Sequence, residues 1–135
     1  MNHTNIFVNY LPILKKDKLV TIGSHCLNHV VLAEQPTETQ YQEIVESKRR
    51  LEKLVGTPVE YIAYPYGQYN QETIKIIKDN NIYRYGFTAG GYFFGKNKEN
   101  RYALDRMNIS NKYYADNFDL LKSIQKFRKT YLDLQ

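Results

Sequence analysis

The sequence contains one cysteine, no tryptophan and only three histidines among its 135 residues. A lone cysteine, Cys26, cannot form an internal disulfide, so the composition does not indicate an oxidising compartment. No apolar run approaches the roughly 18 residues that a membrane-spanning helix requires, and no membrane span is expected. The first residues also lack the basic start of a signal peptide, so the chain as given is expected to be soluble, and its localisation, otherwise unknown, is taken as cytoplasmic by default.

The net charge of +5 at neutral pH would suit a polyanionic partner. The basic residues are nevertheless spread over predicted helix faces, as at Lys48, Arg49, Arg50 and Lys53, where they fit a solvated surface. Nucleic-acid binding is therefore the minor interpretation, and no nucleic-acid partner is expected.

Short apolar runs that alternate with longer amphipathic segments predict an α/β fold with largely parallel strands. Strands are predicted at residues 5–10, 19–23, 59–64, 85–88 and 102–109, and helices after Pro36, Asn70 and Asp116. A closed barrel of eight β/α units usually needs about 200 residues or more. We therefore expect residues 1–135 to form one domain, a partial or open (β/α) barrel from which a piece is missing.

The predicted helices have recognisable ends and apolar faces. A capping box at Thr37 or Thr39 should start the first helix, and Gly56 should end it. Asn70 should cap the second helix, which carries Ile74 and Ile77. The inward face of the first helix is predicted as Tyr41, Ile44, Val45, Leu51, Leu54 and Val55, and that of the last as Phe118, Leu121, Ile124, Phe127 and Tyr131.

Two of the three histidines, His25 and His29, lie four residues apart directly after a predicted strand. Parallel α/β folds build their sites at such positions, and neutral imidazole is the commonest metal ligand. Two imidazoles at this spacing can converge on one ion. A pair of surface or hydrogen-bonding histidines is the open alternative.

A second segment, Tyr61–Gly67 (YIAYPYG), ends a predicted strand in a Pro-Tyr-Gly corner surrounded by aromatic residues. Proline restricts the backbone, glycine permits an unusual turn, and an exposed backbone N–H at such a corner can stabilise an oxyanion. An ordinary loop is the open alternative, since turns with proline and glycine are common.

Taken in order, these segments resemble the polysaccharide deacetylase family, the NodB-homology domain of carbohydrate esterase family 4. The matching stretches are IGSHCLNHVVL, ESKRRLEKLVG and YIAYPYGQYN, and the resemblance extends from about residue 5 to about residue 110. It implies a barrel of the polysaccharide deacetylase type that lacks its N-terminal strand or strands.

The resemblance also implies roles for individual residues. The family's His-[Ser/Thr]-x-x-His motif binds a divalent metal, usually zinc, and His25 and His29 match it, with Cys26 where serine or threonine is usual. The family's Arg-x-Pro-Tyr-like motif lines the substrate groove. Pro65 and Tyr66 match that motif, and the backbone N–H of Tyr66 would contact the oxyanion.

The resemblance also bears on the substrate, and Tyr64, Tyr69 and Arg106 are expected to contact it. Ala63 replaces the arginine of the motif, which is similar to the branch that acts on poly-N-acetylglucosamine. Tyr64 and Tyr69 are expected to stack on sugar rings, with plain packing as the open alternative. Arg106 is expected to fill a basic substrate-binding position.

Two motifs of the family have no match in this sequence. The Thr-Phe-Asp-Asp-Gly motif supplies the catalytic base and a third metal ligand, but Asp17 is the only acidic residue before His25. The Leu-x-His motif supplies the general acid, but no histidine follows His29. Weakly held zinc is therefore expected. A truncated copy, a degenerate member that does not hydrolyse, and a partner chain that supplies the missing groups are the three explanations.

The expected activity is metal-dependent removal of N-acetyl groups from an acetylated amino-sugar polymer, impaired or absent in this chain alone. The alternative is a non-catalytic carbohydrate-binding or structural remnant of the same fold. Unpaired strand edges and exposed apolar surface would favour self-association, so a homo-oligomer is expected. Family members are often exported, which the cytoplasmic expectation for this chain does not match.

Overall fold

The computed structural model describes residues 10–89 and 100–106. Its regular elements include two helices, α1 at Thr37–Val55 and α2 at Gln71–Asp79, and two strands, β1 at Tyr61–Ala63 and β2 at Tyr85–Phe87. No helix in these ranges is long and apolar enough to cross a membrane.

The strands are parallel and follow one another across the sheet in chain order. Ile62 of β1 lies opposite Gly86 of β2, and single parallel bridges join Ser24 to Ile62 and Phe87 to Leu104. The helix α1 connects the Ser24 segment to β1, and α2 connects β1 to β2, as crossover helices between parallel strands do. The described residues therefore form a partial α/β barrel of the predicted class.

The core lies between the strands and the two helices. Ile44 of α1, Ile62 of β1 and Ile77 of α2 are fully buried. The hydroxyl of Tyr64 donates to the carbonyl of Tyr102 at 2.6 Å, and a Cβ on Gly86 would lie 2.3 Å from that hydroxyl oxygen. A side chain at position 86 would occupy the space of the Tyr64 hydroxyl, so glycine there allows this hydrogen bond to form beside β2.

The strand predictions near the N-terminus are wrong where the structure describes them. Residues 10–14 are helical, so the strand predicted at 5–10 does not include Tyr10, and residues 5–9 lie outside the described ranges. No strand is found at residues 19–23. Leu19 is 95% exposed in a turn held by Asp17, and of residues 19–24 only Ser24 pairs with β1.

The later strands are confirmed in shorter form. The strands predicted at 59–64 and 85–88 are present as β1 and β2. Of the strand predicted at 102–109, residues 102–106 contribute the single bridge at Leu104, and the rest lies outside the described residues. The helix predicted after Asp116 also lies outside them.

The helix ends are confirmed in part. Asn70 caps α2 in a capping box with Thr73, and α1 ends at Gly56 in a left-handed conformation, both as predicted. The predicted capping box of α1 is wrong, because Pro36 stands at the cap position and no side-chain cap is present. Proline fixes φ near the value of a helix start, so α1 begins after Pro36 without a side-chain cap.

The buried face of α1 is rotated from the predicted one. Tyr41 and Leu54 are 37% and 53% exposed. The buried residues of this helix are Gln40, Glu43, Ile44, Ser47 and Val55. Three of these five are polar, and two of them, Glu43 and Ser47, bond residues 24–28, where the candidate site begins.

Candidate functional site

The histidine loop, residues 25–29, begins where the chain leaves the edge of β1. Ser24 is held on both sides of its backbone, with its N–H donating to Tyr61 at 2.8 Å and its carbonyl accepting from Ala63 at 2.8 Å. His25 is the next residue, so these two hydrogen bonds fix the position of its backbone at the carboxyl end of β1. This is the edge at which parallel α/β folds place their sites.

A hydrogen bond fixes the orientation of the His25 ring. Its Nδ1 lies 2.6 Å from the carbonyl oxygen of Ala63. Because a carbonyl oxygen only accepts, Nδ1 of the neutral ring carries the proton, and the lone pair of Nε2 is left for a cation. Metal-ligating histidines commonly bond a backbone carbonyl through their other nitrogen in this way.

The second histidine turns back towards the first. Cys26 and His29 have left-handed backbone angles, with φ of 63° and 56°, and these two reversals curl the loop. The ring centroids of His25 and His29 are 4.7 Å apart, edge to face. The two imidazole rings are therefore neighbours, and their convergence on one ion stays a prediction.

The Pro-Tyr-Gly turn, Pro65–Gly67, lies against the same pair of rings. The rings of His29 and Tyr66 are 4.8 Å apart between centroids, and Tyr66 is 61% exposed. Tyr66 has a φ of 57°, a left-handed conformation that is uncommon outside glycine and clusters at functional sites. The fold thus brings together the two segments that the sequence singled out.

Gly67 allows this turn to approach the end of β2 closely. A Cβ at Gly67 would lie 2.3 Å from the backbone nitrogen of Ala89, so no side chain fits there. The φ of Gly67 is 70°, which glycine adopts without strain. Glycine therefore fixes the position of Tyr66 relative to the strand ends.

Glu43 of α1 lies beneath the histidine loop and is 5% exposed. Its Oε2 accepts hydrogen bonds from the backbone N–H groups of Leu27 and Asn28, at 2.9 and 2.8 Å. Its Oε1 accepts from the Asn28 side-chain amide. The centre of the loop is thus held from the helix side by one buried carboxylate.

Ser47, one helical turn after Glu43, holds the start of the loop. Its hydroxyl lies 2.8 Å from that of Ser24 and 3.3 Å from that of Tyr83, and donates to the carbonyl of Ile44. The sequence analysis did not identify Glu43 or Ser47 as site residues. Their signal is a polar stripe at positions 40, 43 and 47, whose spacing puts all three on one helix face.

Cys26 stands between the two histidines in sequence, and its thiol is protonated at neutral pH. Burial, and then the nearby Glu43 carboxylate, raise the pKa of Cys26 to about 12. Burial therefore disfavours the thiolate, the form in which a cysteine binds a metal.

The remaining predicted site residues are placed differently from one another. Tyr64 is fully buried, so its predicted stacking on a sugar is wrong, since no ring face is exposed. Tyr69 packs against Tyr64, with centroids 5.2 Å apart, and against the core, and is only partly exposed. Pro65 is also buried, so its side chain shapes the turn and does not reach substrate.

Arg106 lies beside the end of β2. Its Nε donates to the carbonyl of Thr88 at 2.7 Å, one residue before the Ala89 backbone that Gly67 approaches. A cavity of about 490 Å³ reaches His25 from the strand side, between Tyr61 and Phe87. A partly open cleft therefore reaches His25, and Arg106 lies at the neighbouring strand end.

The fold is a parallel α/β fold with two neighbouring histidines beside its strand ends, and comparison with known proteins gives the family. The polysaccharide deacetylase profile matches residues 6–85, more than half of the chain. This chain belongs to the polysaccharide deacetylase family.

Individual relatives agree with this assignment. YxkH of Bacillus subtilis (strain 168), named as a candidate polysaccharide deacetylase, is 29% identical over 91 residues, 67% of this chain and 32% of YxkH. The deacetylase PplD of Streptococcus pyogenes, solved in complex with acetate, is 27% identical with a TM-score of 0.69, covering 84% of this chain and 49% of PplD.

A third relative supports the fold alone. BA3943 of Bacillus anthracis, described as a pseudoenzyme of the CE4 family, is 18% identical with a TM-score of 0.52, covering 59% of this chain and 28% of BA3943. The chain spans about half the length of PplD and about a third of YxkH.

Proposed function

We propose that this chain is a metal-dependent deacetylase domain for an acetylated amino-sugar polymer, and that its 135 residues hold only part of the catalytic set. The observation that carries the proposal is the contact of three rings. The ring centroids of His25 and His29 are 4.7 Å apart, and those of His29 and Tyr66 are 4.8 Å apart. Membership of the polysaccharide deacetylase family supports the substrate class.

The histidine pair fits two positions of a metal shell. His25 offers Nε2 because Nδ1 bonds the Ala63 carbonyl. Within residues 10–89 and 100–106, no group of three His, Cys, Asp or Glu side chains could hold a metal ion. Since tight zinc sites use three or four protein ligands, we expect zinc or a similar divalent ion to be held weakly.

A bound divalent ion would supply a Lewis acid that polarises the acetyl carbonyl and lowers the pKa of water. Tyr66 would donate its backbone N–H to the oxyanion, because the Pro-Tyr-Gly turn that contains Tyr66 lies against the His29 ring. The part of Arg106 is to bind substrate at the neighbouring strand end, where it is held by Thr88.

The sequence has no match to the two family motifs that supply the base and the acid for the necessary proton transfers. Amide hydrolysis needs a base for the attacking water and an acid for the leaving amine. The acidic residue available before the loop is Asp17, which bonds the N–H of Leu19 in an exposed turn. We therefore expect the isolated chain to deacetylate poorly or not at all.

A second candidate function is glycan binding without hydrolysis. The absence of a third ligand in the described residues favours it, and BA3943 is a pseudoenzyme with the same fold. A non-catalytic domain would bind chitooligosaccharides with an affinity that does not depend on zinc, whereas a metal-dependent site would lose binding or activity on chelation.

The test is zinc content after dialysis, measured for the wild type, His25→Ala and His29→Ala. We expect weak binding in the wild type and none in either variant. His3→Ala is the matched control, since it removes the third histidine of the chain and should leave zinc content unchanged. Equal zinc content in all four proteins would overturn the ligand assignment.

The activity test is release of acetate from chitooligosaccharides by the same proteins with added zinc. We expect little or no acetate from any of them. Rapid, zinc-dependent hydrolysis by the wild type would support the deacetylase function and would show that the 135 residues are a sufficient catalytic set, contrary to the proposal.

A further inference from the structure

Glu43 is a buried carboxylate whose compensation comes from hydrogen bonds. Among the residues that the structure describes, no Lys, Arg or His nitrogen lies within 4.0 Å of it. Three N–H donors, from the backbone of Leu27 and Asn28 and from the Asn28 amide, face its two oxygens. A buried charge needs such partners, so the histidine loop and Glu43 hold one another in place.

The two backbone donors lie between the two residues that reverse the chain. Leu27 and Asn28 are flanked by Cys26 and His29, whose φ angles are 63° and 56°. Left-handed residues are disfavoured outside glycine and persist only where the surroundings determine them. A single oxygen, Glu43 Oε2, gathers both intervening N–H groups and so fixes the segment that separates the two imidazoles.

We propose that Glu43 is a positioning residue of the histidine site and holds the rings of His25 and His29 together before any cation binds. This inference rests on the proposed function for its purpose, but the geometric claim is independent of metal. The carboxylate acts through the loop, because its hydrogen bonds within the described residues all go to Leu27 or Asn28.

Three substitutions of Glu43 separate the effect of its side-chain length from the effect of its negative charge. Glu43→Gln keeps the length of the side chain and an oxygen acceptor but removes the charge. Glu43→Asp keeps the charge but is shorter by one methylene, and Glu43→Ala removes all acceptors. Glu46→Gln is the matched control, because Glu46 lies on the exposed side of α1 and bonds Arg49 and Arg50 instead of the loop.

The first measurement is made on the metal-free chain by NMR, with far-UV circular dichroism as the check that α1 and α2 are formed. We expect cross-relaxation between the ring protons of His25 and His29 in the wild type, Glu46→Gln and Glu43→Gln. It should disappear in Glu43→Asp and Glu43→Ala. Ring contacts that persist in folded Glu43→Asp would overturn the proposal.

The second measurement is zinc affinity by competition with a chromophoric chelator. We expect Glu43→Asp and Glu43→Ala to bind zinc about ten- to a hundredfold more weakly, the range for loss of a residue that orients metal ligands. Glu43→Gln should stay closer to the wild type than Glu43→Asp. The reverse order would show that the negative charge, not the reach, matters, and would contradict positioning.

Asn28→Ala covers the case in which the core substitutions do not fold. It removes one of the three hydrogen bonds from the exposed side of the loop and should weaken zinc binding severalfold while leaving the helices intact. Wild-type affinity in this variant would count against the proposal. If the wild type binds no zinc, the metal site is refuted. If the ring contacts are nevertheless present in the wild type and lost in Glu43→Asp, the positioning role is still supported.

Discussion

Replacing Gly67 by alanine tests how closely the Pro-Tyr-Gly turn approaches the end of β2. An L-residue in the left-handed region costs about 1–2 kcal/mol relative to its preferred conformation. The added Cβ would also lie 2.3 Å from the nitrogen and 2.7 Å from the Cβ of Ala89. Because backbone atoms cannot rotate away, overpacking should add about 1–3 kcal/mol.

Gly56→Ala is the matched control for this prediction. Gly56 has a φ of 75°, close to the 70° of Gly67, but the nearest atom to its added Cβ is Lys15 Nζ at 4.0 Å. Gly56→Ala should therefore show the conformational cost alone, about 1–2 kcal/mol. The difference between the two variants isolates the contact with Ala89.

The assay is urea unfolding of both variants and the wild type in metal-free buffer. Gly67→Ala should lose about 1–3 kcal/mol more free energy of unfolding than Gly56→Ala. Equal losses would refute the close approach of the turn to Ala89, and with it the account of how Tyr66 is positioned.

Other predictions concern the groups beneath the site. Ser47→Ala should lower the free energy of unfolding by about 1–2 kcal/mol, because it leaves the Ser24 and Tyr83 hydroxyls without a shared partner; an unchanged urea midpoint would contradict this. Burial raises the pKa of Tyr83 from 10.0 to about 12, so the folded state keeps a proton that the unfolded state releases. The contribution of Tyr83 to stability should be full below pH 10 and fall as the pH approaches 12, and Tyr83→Phe should flatten that part of the decline in alkaline urea titrations. Asn70→Ala should lower the free energy of unfolding in urea by about 1 kcal/mol through loss of the α2 cap.

Local chemistry made several elements predictable. Asn70 capped α2 as expected because its side chain meets the N–H of Thr73 within the same turn. Gly56 ended α1 because glycine adopts the left-handed conformation that a helix end requires. The strand at 19–23 was predicted wrongly, since an apolar run does not reveal whether a partner strand lies beside it.

The candidate site was predictable in its residue types but only partly in its arrangement. The sequence by itself determined the spacing of His25 and His29, the Pro-Tyr-Gly turn and the family to which they belong. Tyr64 looked equally suited to a sugar or to the core, and the fold buries it where its hydroxyl meets the carbonyl of Tyr102, 38 residues away.

Only the tertiary structure decided which face of α1 is buried and what that face does. Helical periodicity specifies which residues share a face, but the partners of that face come from elsewhere in the chain. Glu43 meets the loop 16 residues before it, and Ser47 meets Ser24 across 23 residues. Burying polar groups is favourable only when such distant donors and acceptors are brought to them, and that pairing exists only in the folded chain.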